Sequence, residues 1–576
     1  MSRRLDGGES GAEAPASPVP ERVLSRSGGQ ILVDQLRIHG ADLLFGVPGE
    51  SYLPVLDALR DSELRYVICR HEAGAANMAD AYGKLTGRPG IAIVTRGPGA
   101  THASVGVHTA FQDSTPLVLL VGQVGRDMTG REAFQEIDYP AMFGGIAKWV
   151  AQIESAERVP EYLYRAFTTA TSGRPGPVVL ALPEDMLAEE VEADDAQRYT
   201  PLQAHPGPDE LARLRELLAG AKRPFAIVGG GGWTEQAATD FVAFAEANEL
   251  PVGTGFRRQD YVDNASRVYA GHVGIGPDPK LAARVRDADL LLVVGARLGE
   301  STTGGYTLVA AGRPHQTLVH VHAAAEELGR VYQPQLGIVS GPPQFAAAAR
   351  VLEPVDSSAW RAETEQAHAD HLASMEHTPG PGDLQMGDVM AWLRERLPDD
   401  AILTNGAGNF SVWAHRFYEF RRFPTQLAPT SGAMGYGLPA AVAAKLVHPD
   451  RLVVCFAGDG DFLMSGQELA TAVQYELPMV VLVVNNGMYG TIRMHQERHY
   501  PGRPFGTDLV NPDFSRYAEA FGGHGEVVER TEEFAPAFER AIESGRPAVI
   551  ELRVDPEAIT PRKSLTEIRA DALRGS

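Results

Sequence analysis

Three observations predict an α/β protein built of three doubly wound, parallel-sheet domains. Short apolar runs of strand length alternate with helical patterns almost from end to end, which is how βαβ units read in sequence. At 576 residues the chain is too long for one hydrophobic core. Two polar stretches rich in Pro, Gly or charge cut the alternation into three blocks.

Residues 1–27 are rich in Gly, Ala, Ser, Pro and acid and lack the apolar core of a secretory signal, so they read as a disordered tail. The first block, 28–190, carries DLLFGVP, RYVICR, GIAIVTRG, TPLVLLVG and GPVVLALP as strands. The charged stretch AEEVEADDAQRYTPLQAHPGPDE reads as a linker. The second block, 208–354, carries RPFAIVGGGG, DADLLLVVG and TLVHVH. Beyond EHTPGPGD, the third block, 383–555, carries AILTNG, RLVVCFAGDG, PMVVLVVNN and AVIELRV.

A formal net charge of −22 with no local basic patch excludes non-specific binding to nucleic acid. No apolar stretch approaches the ~18 residues that span a bilayer, so no membrane association is expected. The two cysteines, Cys69 and Cys455, both fall in apolar strand-like runs, which suits reduced thiols in a cytoplasmic protein.

The run RLVVCFAG ends in Asp459-Gly460-Asp461, and buried charge needs compensation. Ser465 and Glu468 have capping-box spacing, so a helix is expected to start there. The next strand ends in Asn485-Asn486. A right-handed crossover puts both strand ends on one sheet edge, where ligands bind in open α/β sheets. Asp459 and Asn486, 27 positions apart, then offer hard oxygen donors suited to Mg²⁺ carrying a diphosphate. Gly460 would let backbone approach phosphate. Alone, however, a GDG triplet is equally a strand-end turn.

GDG followed at this spacing by NN resembles the motif of thiamine diphosphate enzymes, and the chain is similar to their acetolactate synthase-like group from about residue 28 to 555. RHEAGAANMADAYGKLTG, GPGATHASVGVHTAFQDSTPLVLLVGQV, AFQE, GRPGPVVLALPED, TSGAMGYGLPAA and NGAGNF carry the likeness further. The resemblance implies a pyrimidine-binding, a central and a diphosphate-binding domain in that order. It makes Glu72 the catalytic acid that exchanges a proton with N1′ of the aminopyrimidine; without the other motifs Glu72 would read as a helix N-terminal charge. It makes Asp459, Asn486 and the Met488 carbonyl the Mg²⁺ ligands. Gly49, Gly406, Gly408, Asn409, Gly432, Met434, Gly458, Gly460, Asp461 and Met488 are implied around the cofactor, with Met434 as the wedge that bends it. Gln123, Phe134, Gln135, Lys148 and His495 are implied near the substrate.

The implied activity is decarboxylation of a small 2-oxo acid with transfer of the acyl unit to a second carbonyl. Simple decarboxylation releasing an aldehyde, or cofactor binding without turnover, are the alternatives. A homodimer or homotetramer is implied. Four departures stand out: His495 takes the approximate place of a tryptophan, Arg96 that of a small residue, Glu50 is unusual near the cofactor, and His102 and His108 follow the glycine turn. In the central block Thr234 occupies the third glycine position of G-x-G-x-x-G. A structural domain without FAD is therefore the favoured expectation, with FAD the alternative.

Overall fold

The computed structural model describes residues 25–575. Each block folds around a six-stranded sheet whose pairings are all parallel. In the first the order is Arg65–Ile68, Leu43–Gly46, Gly90–Val94, Leu117–Gln123, Pro177–Pro183, Trp149–Gln152. The interior strands Leu117–Gln123 and Pro177–Pro183 are buried at every residue, because helices cover both faces of the sheet. Continuous apolar runs follow from that.

The second sheet has the order Tyr269–Val273, Val252–Gly255, Pro224–Val228, Leu290–Val294, Thr317–His322, Leu336–Val339. The third runs Gln426–Leu427, Ile402–Asn405, Val453–Gly458, Val480–Asn485, Ala548–Arg553, His524–Val528. Val453–Gly458 and Val480–Asn485 pair directly, so the GDG and NN segments leave the same edge side by side.

Of the tail expected over 1–27, residues 1–24 lie outside the described residues. Arg26–Ser27 form a short strand paired antiparallel with Glu190–Val191, which fastens the start of the first block to its end. Ser27 then caps the helix Gly28–Ile38 with Gln30 in a reciprocal box.

The first and third blocks share one hydrophobic core within the chain. Helix Glu72–Thr86 packs between Gly97–Asp113 and Gly437–Val447, and Ala75, Ala79, Val107, Leu438 and Ala441 all bury there. Small residues set the spacing: a Cβ on Gly106 would come within 2.4 Å of that of Ala76. No helix among the described residues is long and apolar enough to cross a membrane.

Candidate functional site

The carboxylate of Asp459 is almost fully buried where Val453–Gly458 ends. It accepts hydrogen bonds from the amides of Gly460 and Gly487, both at 2.9 Å, and from Asn511 Nδ2 at 2.8 Å. Among the described residues it makes no ion pair. Burial pushes its pKa up, and these donors pull it part of the way back. Asn486 is half-buried, its Oδ1 accepting from Met488 N at 3.2 Å, and the left-handed φ of +67° at Gly487 turns the chain between them. Asn511, which the sequence reading missed, also donates to Asn485 Oδ1, while its own Oδ1 is buried without a partner. An uncompensated carboxylate beside amide and carbonyl oxygens, one of them orphaned, is a donor set that fits a hard divalent cation.

The helix expected after GDG is broken. Asp459–Phe462 form a single turn, a 3-10 turn spans Gly466–Glu468, and Leu469–Gln474 complete it. The predicted capping box does not form: Ser465 Oγ makes no cap and is buried without a partner. Glu468 reaches the first block instead, accepting from Arg70 N at 3.1 Å, His71 N at 2.9 Å and Thr471 Oγ1 at 2.6 Å. Gly460 packs against Tyr489, whose ring a Cβ there would meet at 2.5 Å.

Asp461, expected against the cofactor, turns its carboxylate inward to accept from Ala407 N at 3.0 Å and Gly435 N at 2.9 Å. Its burial pushes the carboxyl up to about 7. Gly406 has to be glycine here, because a Cβ would meet Asp461 Oδ1 at 2.1 Å. Gly458 lies under the ring of Phe410, 2.7 Å from a hypothetical Cβ, and that ring comes equally close to Gly408. Asn409 is held by Thr491 Oγ1, which donates to its Oδ1 at 3.0 Å, and by the Ile559 carbonyl at 3.1 Å.

All three blocks grip the loop 428–435. Asp113 of the first accepts from Thr430 N at 2.8 Å, Arg257 of the second donates to the Pro429 carbonyl at 2.5 Å, and Asp461 of the third holds Gly435. Between these anchors Gly432 sits exposed at φ +70°, its Cβ direction facing open space, and Met434 is half-buried. A loop anchored at both ends, with an exposed glycine whose amide turns back to the Pro429 carbonyl at 3.1 Å and an adaptable apolar side chain beside it, fits the ring end of a bent cofactor.

Glu72 opens its helix, with His71 as N-cap accepting from Ala73 N at 3.1 Å. The Glu72 side chain is 13% exposed, and its Oε2 lies 2.9 Å from His102 Nδ1. Gly99 and Thr95 flank it, and Gly49 packs on Thr95, where a Cβ would come within 2.6 Å of the threonine. Arg96, buried, pairs with exposed Glu50 at 2.7 Å and approaches Glu184. Its guanidinium lies over the ring of Phe134, 5.9 Å from the centroid, and Phe134 is 71% exposed.

Gln135 adopts a left-handed φ of +65°, and its carbonyl accepts from Gly97 N at 3.0 Å. Gln123 is buried and internally committed: its Nε2 donates to the Ile137 carbonyl at 3.0 Å and its Oε1 accepts from Val124 N. The Lys148 ammonium bonds the carbonyls of Thr169 and Ser172 at the end of a helix, where the dipole favours it. His495 is exposed and stacks on His499; burial, with Arg498 and His499 beside it, pushes its pKa down.

A cavity of about 750 Å³ lies between the second and third blocks, bordered by Arg257, His272, Gly408, Asn409, Gly432 and His495. Glu72 does not line it. The glycine-rich turn of the second block faces elsewhere: a Cβ on Gly230 would strike the Gly295 carbonyl and one on Gly231 that of Ser114. Thr234 caps the helix Glu235–Ala247, accepting from Ala237 N at 3.1 Å. Close packing accounts for Gly230 and Gly231, and helix capping for Thr234.

Three family models of thiamine pyrophosphate enzymes match in order: the N-terminal TPP binding domain over residues 26–142, the central domain over 211–349 and the C-terminal TPP binding domain over 406–552. The chain belongs to the thiamine pyrophosphate enzyme family. Within it, the chain is similar to acetolactate synthase isozyme 2 large subunit of Escherichia coli (strain K12), 32% identical over 92% of this chain and 96% of the relative. It is 33% identical to acetolactate synthase large subunit of Corynebacterium glutamicum, over 94% and 88% of the two chains. With the mitochondrial acetolactate synthase catalytic subunit of Saccharomyces cerevisiae it shares 30% identity over 92% and 81%.

Proposed function

We propose that this protein decarboxylates a small, pyruvate-like 2-oxo acid with thiamine diphosphate and Mg²⁺ and joins the acyl unit to a second carbonyl. Bound thiamine diphosphate supplies the electron sink that loss of carbon dioxide from a 2-oxo acid requires. The uncompensated Asp459 carboxylate carries the reading. With the Asn486 amide oxygen and the Met488 carbonyl it would hold the Mg²⁺ that clamps a diphosphate. Gly432 and Met434 would orient the ring end, and Glu72 would hold and share a proton at its carboxyl oxygen.

The cavity beside Gly408 and Gly432 is walled by residues from 256 onward, and Glu72 is not among them. That supports a homodimer as the smallest active unit, with Glu72 of one protomer completing the site of its partner; two dimers forming a tetramer is compatible with it. Of the residues expected at the substrate, exposed Phe134 and His495 are assigned direct contact. Gln123, Gln135 and Lys148 are assigned to shaping the backbone around it.

The boundaries 28–190, 208–354 and 383–555 are proposed as the three domains. The closed glycine turn supports a central domain without FAD. Two buried free thiols support a cytoplasmic location.

Release of an aldehyde is the second reading, favoured by His495, an imidazole on the cavity wall able to protonate a nascent carbanion. Calorimetric titration of thiamine diphosphate with and without Mg²⁺, followed by mass analysis of products from a panel of 2-oxo acids with and without added acceptors, tests both. Cofactor binding indifferent to Mg²⁺ would refute the metal site, and aldehyde as the sole product would select the second reading.

A further inference from the structure

We propose that Asn511 is a positioning residue that makes Asp459 a one-oxygen ligand and so sets the metal preference of the site. This rests on the reading of Asp459 as a Mg²⁺ ligand. A carboxylate oxygen has two lone pairs, so the donors already present decide which oxygen is left for a cation. Asp459 Oδ2 accepts from Gly487 N at 2.9 Å and from Asn511 Nδ2 at 2.8 Å, and both of its lone pairs are taken. Among the described residues Oδ1 accepts from Gly460 N alone, at 2.9 Å, and keeps one lone pair. The Met488 amide also favours the charged carboxylate, but its hydrogen bond goes to Asn486 Oδ1 at 3.2 Å.

A chain of donors fixes which way Asn511 turns. Glu551, fully buried, accepts at Oε1 from Arg553 Nε at 3.0 Å and from Asn485 Nδ2 at 2.8 Å, and at Oε2 from Phe514 N at 3.2 Å. With its amide nitrogen held there, Asn485 turns Oδ1 the other way, where it accepts from Gly487 N at 3.1 Å and from Asn511 Nδ2 at 2.9 Å. The Asn511 amide nitrogen therefore faces two acceptors, and the opposite orientation would set oxygen against oxygen at both. Side chains from two paired strands, Val480–Asn485 and Ala548–Arg553, thus act through Asn511 to close one oxygen of Asp459.

Asn511 Oδ1 is buried without a partner, so the residue costs stability on that side, and its donor face is what it contributes. The consequence is chemical. Mg²⁺ demands near-ideal octahedral geometry at about 2.0–2.1 Å, whereas Ca²⁺ takes about six to eight oxygens at about 2.3–2.6 Å and accepts a carboxylate through both oxygens. With Oδ2 saturated, Asp459 gives a cation one oxygen. That suits the smaller ion and withholds from Ca²⁺ a ligand it would otherwise gain.

Two measurements on the full chain test this. Calorimetric titration of thiamine diphosphate in excess Mg²⁺ or Ca²⁺ gives the ratio of the two affinities for wild type and for Asn511→Leu, which is close in size and removes the donor. The ratio is expected to move toward Ca²⁺ by about tenfold in the variant. Infrared difference spectra, with carbon-13 labels marking the aspartate carboxyls, report the gap between the antisymmetric and symmetric carboxylate stretches, wide for one-oxygen and narrow for two-oxygen binding. Wild type is expected to show the wide gap with both metals, and Asn511→Leu the narrow gap with Ca²⁺. In a folded Asn511→Leu, a ratio that stays put or moves toward Mg²⁺ overturns the proposal and leaves Asn511 merely structural. A narrow gap in wild type with Ca²⁺ overturns it too, because Oδ2 is then open, and this second result decides the matter if the variant does not fold. If cofactor binding to wild type is indifferent to both metals, the reading of Asp459 as a metal ligand fails instead.

Discussion

Glu468 Oε1 accepts a hydrogen bond from the His71 amide at 2.9 Å, although 397 residues separate the two. Through it the segment after GDG holds the chain at the residue immediately before Glu72, so the GDG end of one site and the acid offered to the partner's site share one framework. Glu468 is fully buried, and burial pushes its carboxyl up against the pull of Thr471 and the two amides. Glu468→Ala leaves those three donors unpaired, at a cost of about 3 kcal/mol. Thermal unfolding should show that loss, and kcat should fall without any change in substrate contacts; Glu468→Gln should recover most of the stability.

Glu72→Gln should preserve the fold and most of the affinity for thiamine diphosphate while slowing C2 proton exchange by at least about 100-fold. Proton exchange followed by NMR after acid quench measures this. Exchange at the wild-type rate would remove Glu72 from the mechanism.

Asp459→Ala should abolish the Mg²⁺ dependence of cofactor binding. Calorimetry of the variant should show the same weak binding with and without the metal. The apoprotein should fold, since two of the three donors that lose their acceptor there, Gly487 N and Asn511 Nδ2, each have Asn485 Oδ1 as a second one, leaving only Gly460 N to re-pair.

Asp461 gives a pH dependence of definite sign. Its carboxyl is pushed up to about 7 by burial, from an ordinary value of 3.8. The folded protein therefore keeps a proton that the unfolded chain releases, and the stabilisation is complete below about pH 4 and lost as pH rises through 7. Asp461→Asn keeps the acceptor oxygen for Ala407 and Gly435 and removes the titration. Relative to wild type, the variant should gain up to about 4 kcal/mol between pH 4 and 8, read from denaturant unfolding of the apoproteins.

Asp113 joins Lys84, Arg258 and Thr430 in a buried cluster, and Lys84 also pairs with Asp80 at 2.7 Å. The cations hold the Asp113 carboxyl below its ordinary value against burial, while burial raises that of Asp80. Asp113→Asn strands buried positive charge and should cost about 3–5 kcal/mol. Lys84→Met combined with Asp113→Asn should cost less than the two singles added, which a double-mutant cycle measures.

Interior strands could be read directly from the chain. Val453–Gly458, Val480–Asn485, Leu117–Gln123 and Pro177–Pro183 lie under helices on both faces, so burial writes itself into them as unbroken apolar runs. Trp149–Gln152, Leu336–Val339 and His524–Val528 escaped because they are edge strands, mostly half-buried or exposed. Gln426–Leu427, also an edge, is two residues long, and Val252–Gly255 contains two glycines where an apolar run would be sought.

For the site, the sequence by itself determined the α/β class, the pairing of GDG with NN at one sheet edge, and the acid that opens helix Glu72–Thr86, since each follows from local pattern and crossover geometry. Only the tertiary structure decided that Asn511 reaches Asp459, that Glu468 holds His71 rather than capping its own helix, that Asp461 locks two loops, and that His102 meets Glu72. A buried polar atom takes whichever partner the packed fold brings within hydrogen-bond distance, and such partners, 52 residues apart for Asn511 and Asp459 and 30 for His102 and Glu72, obey no period along the chain.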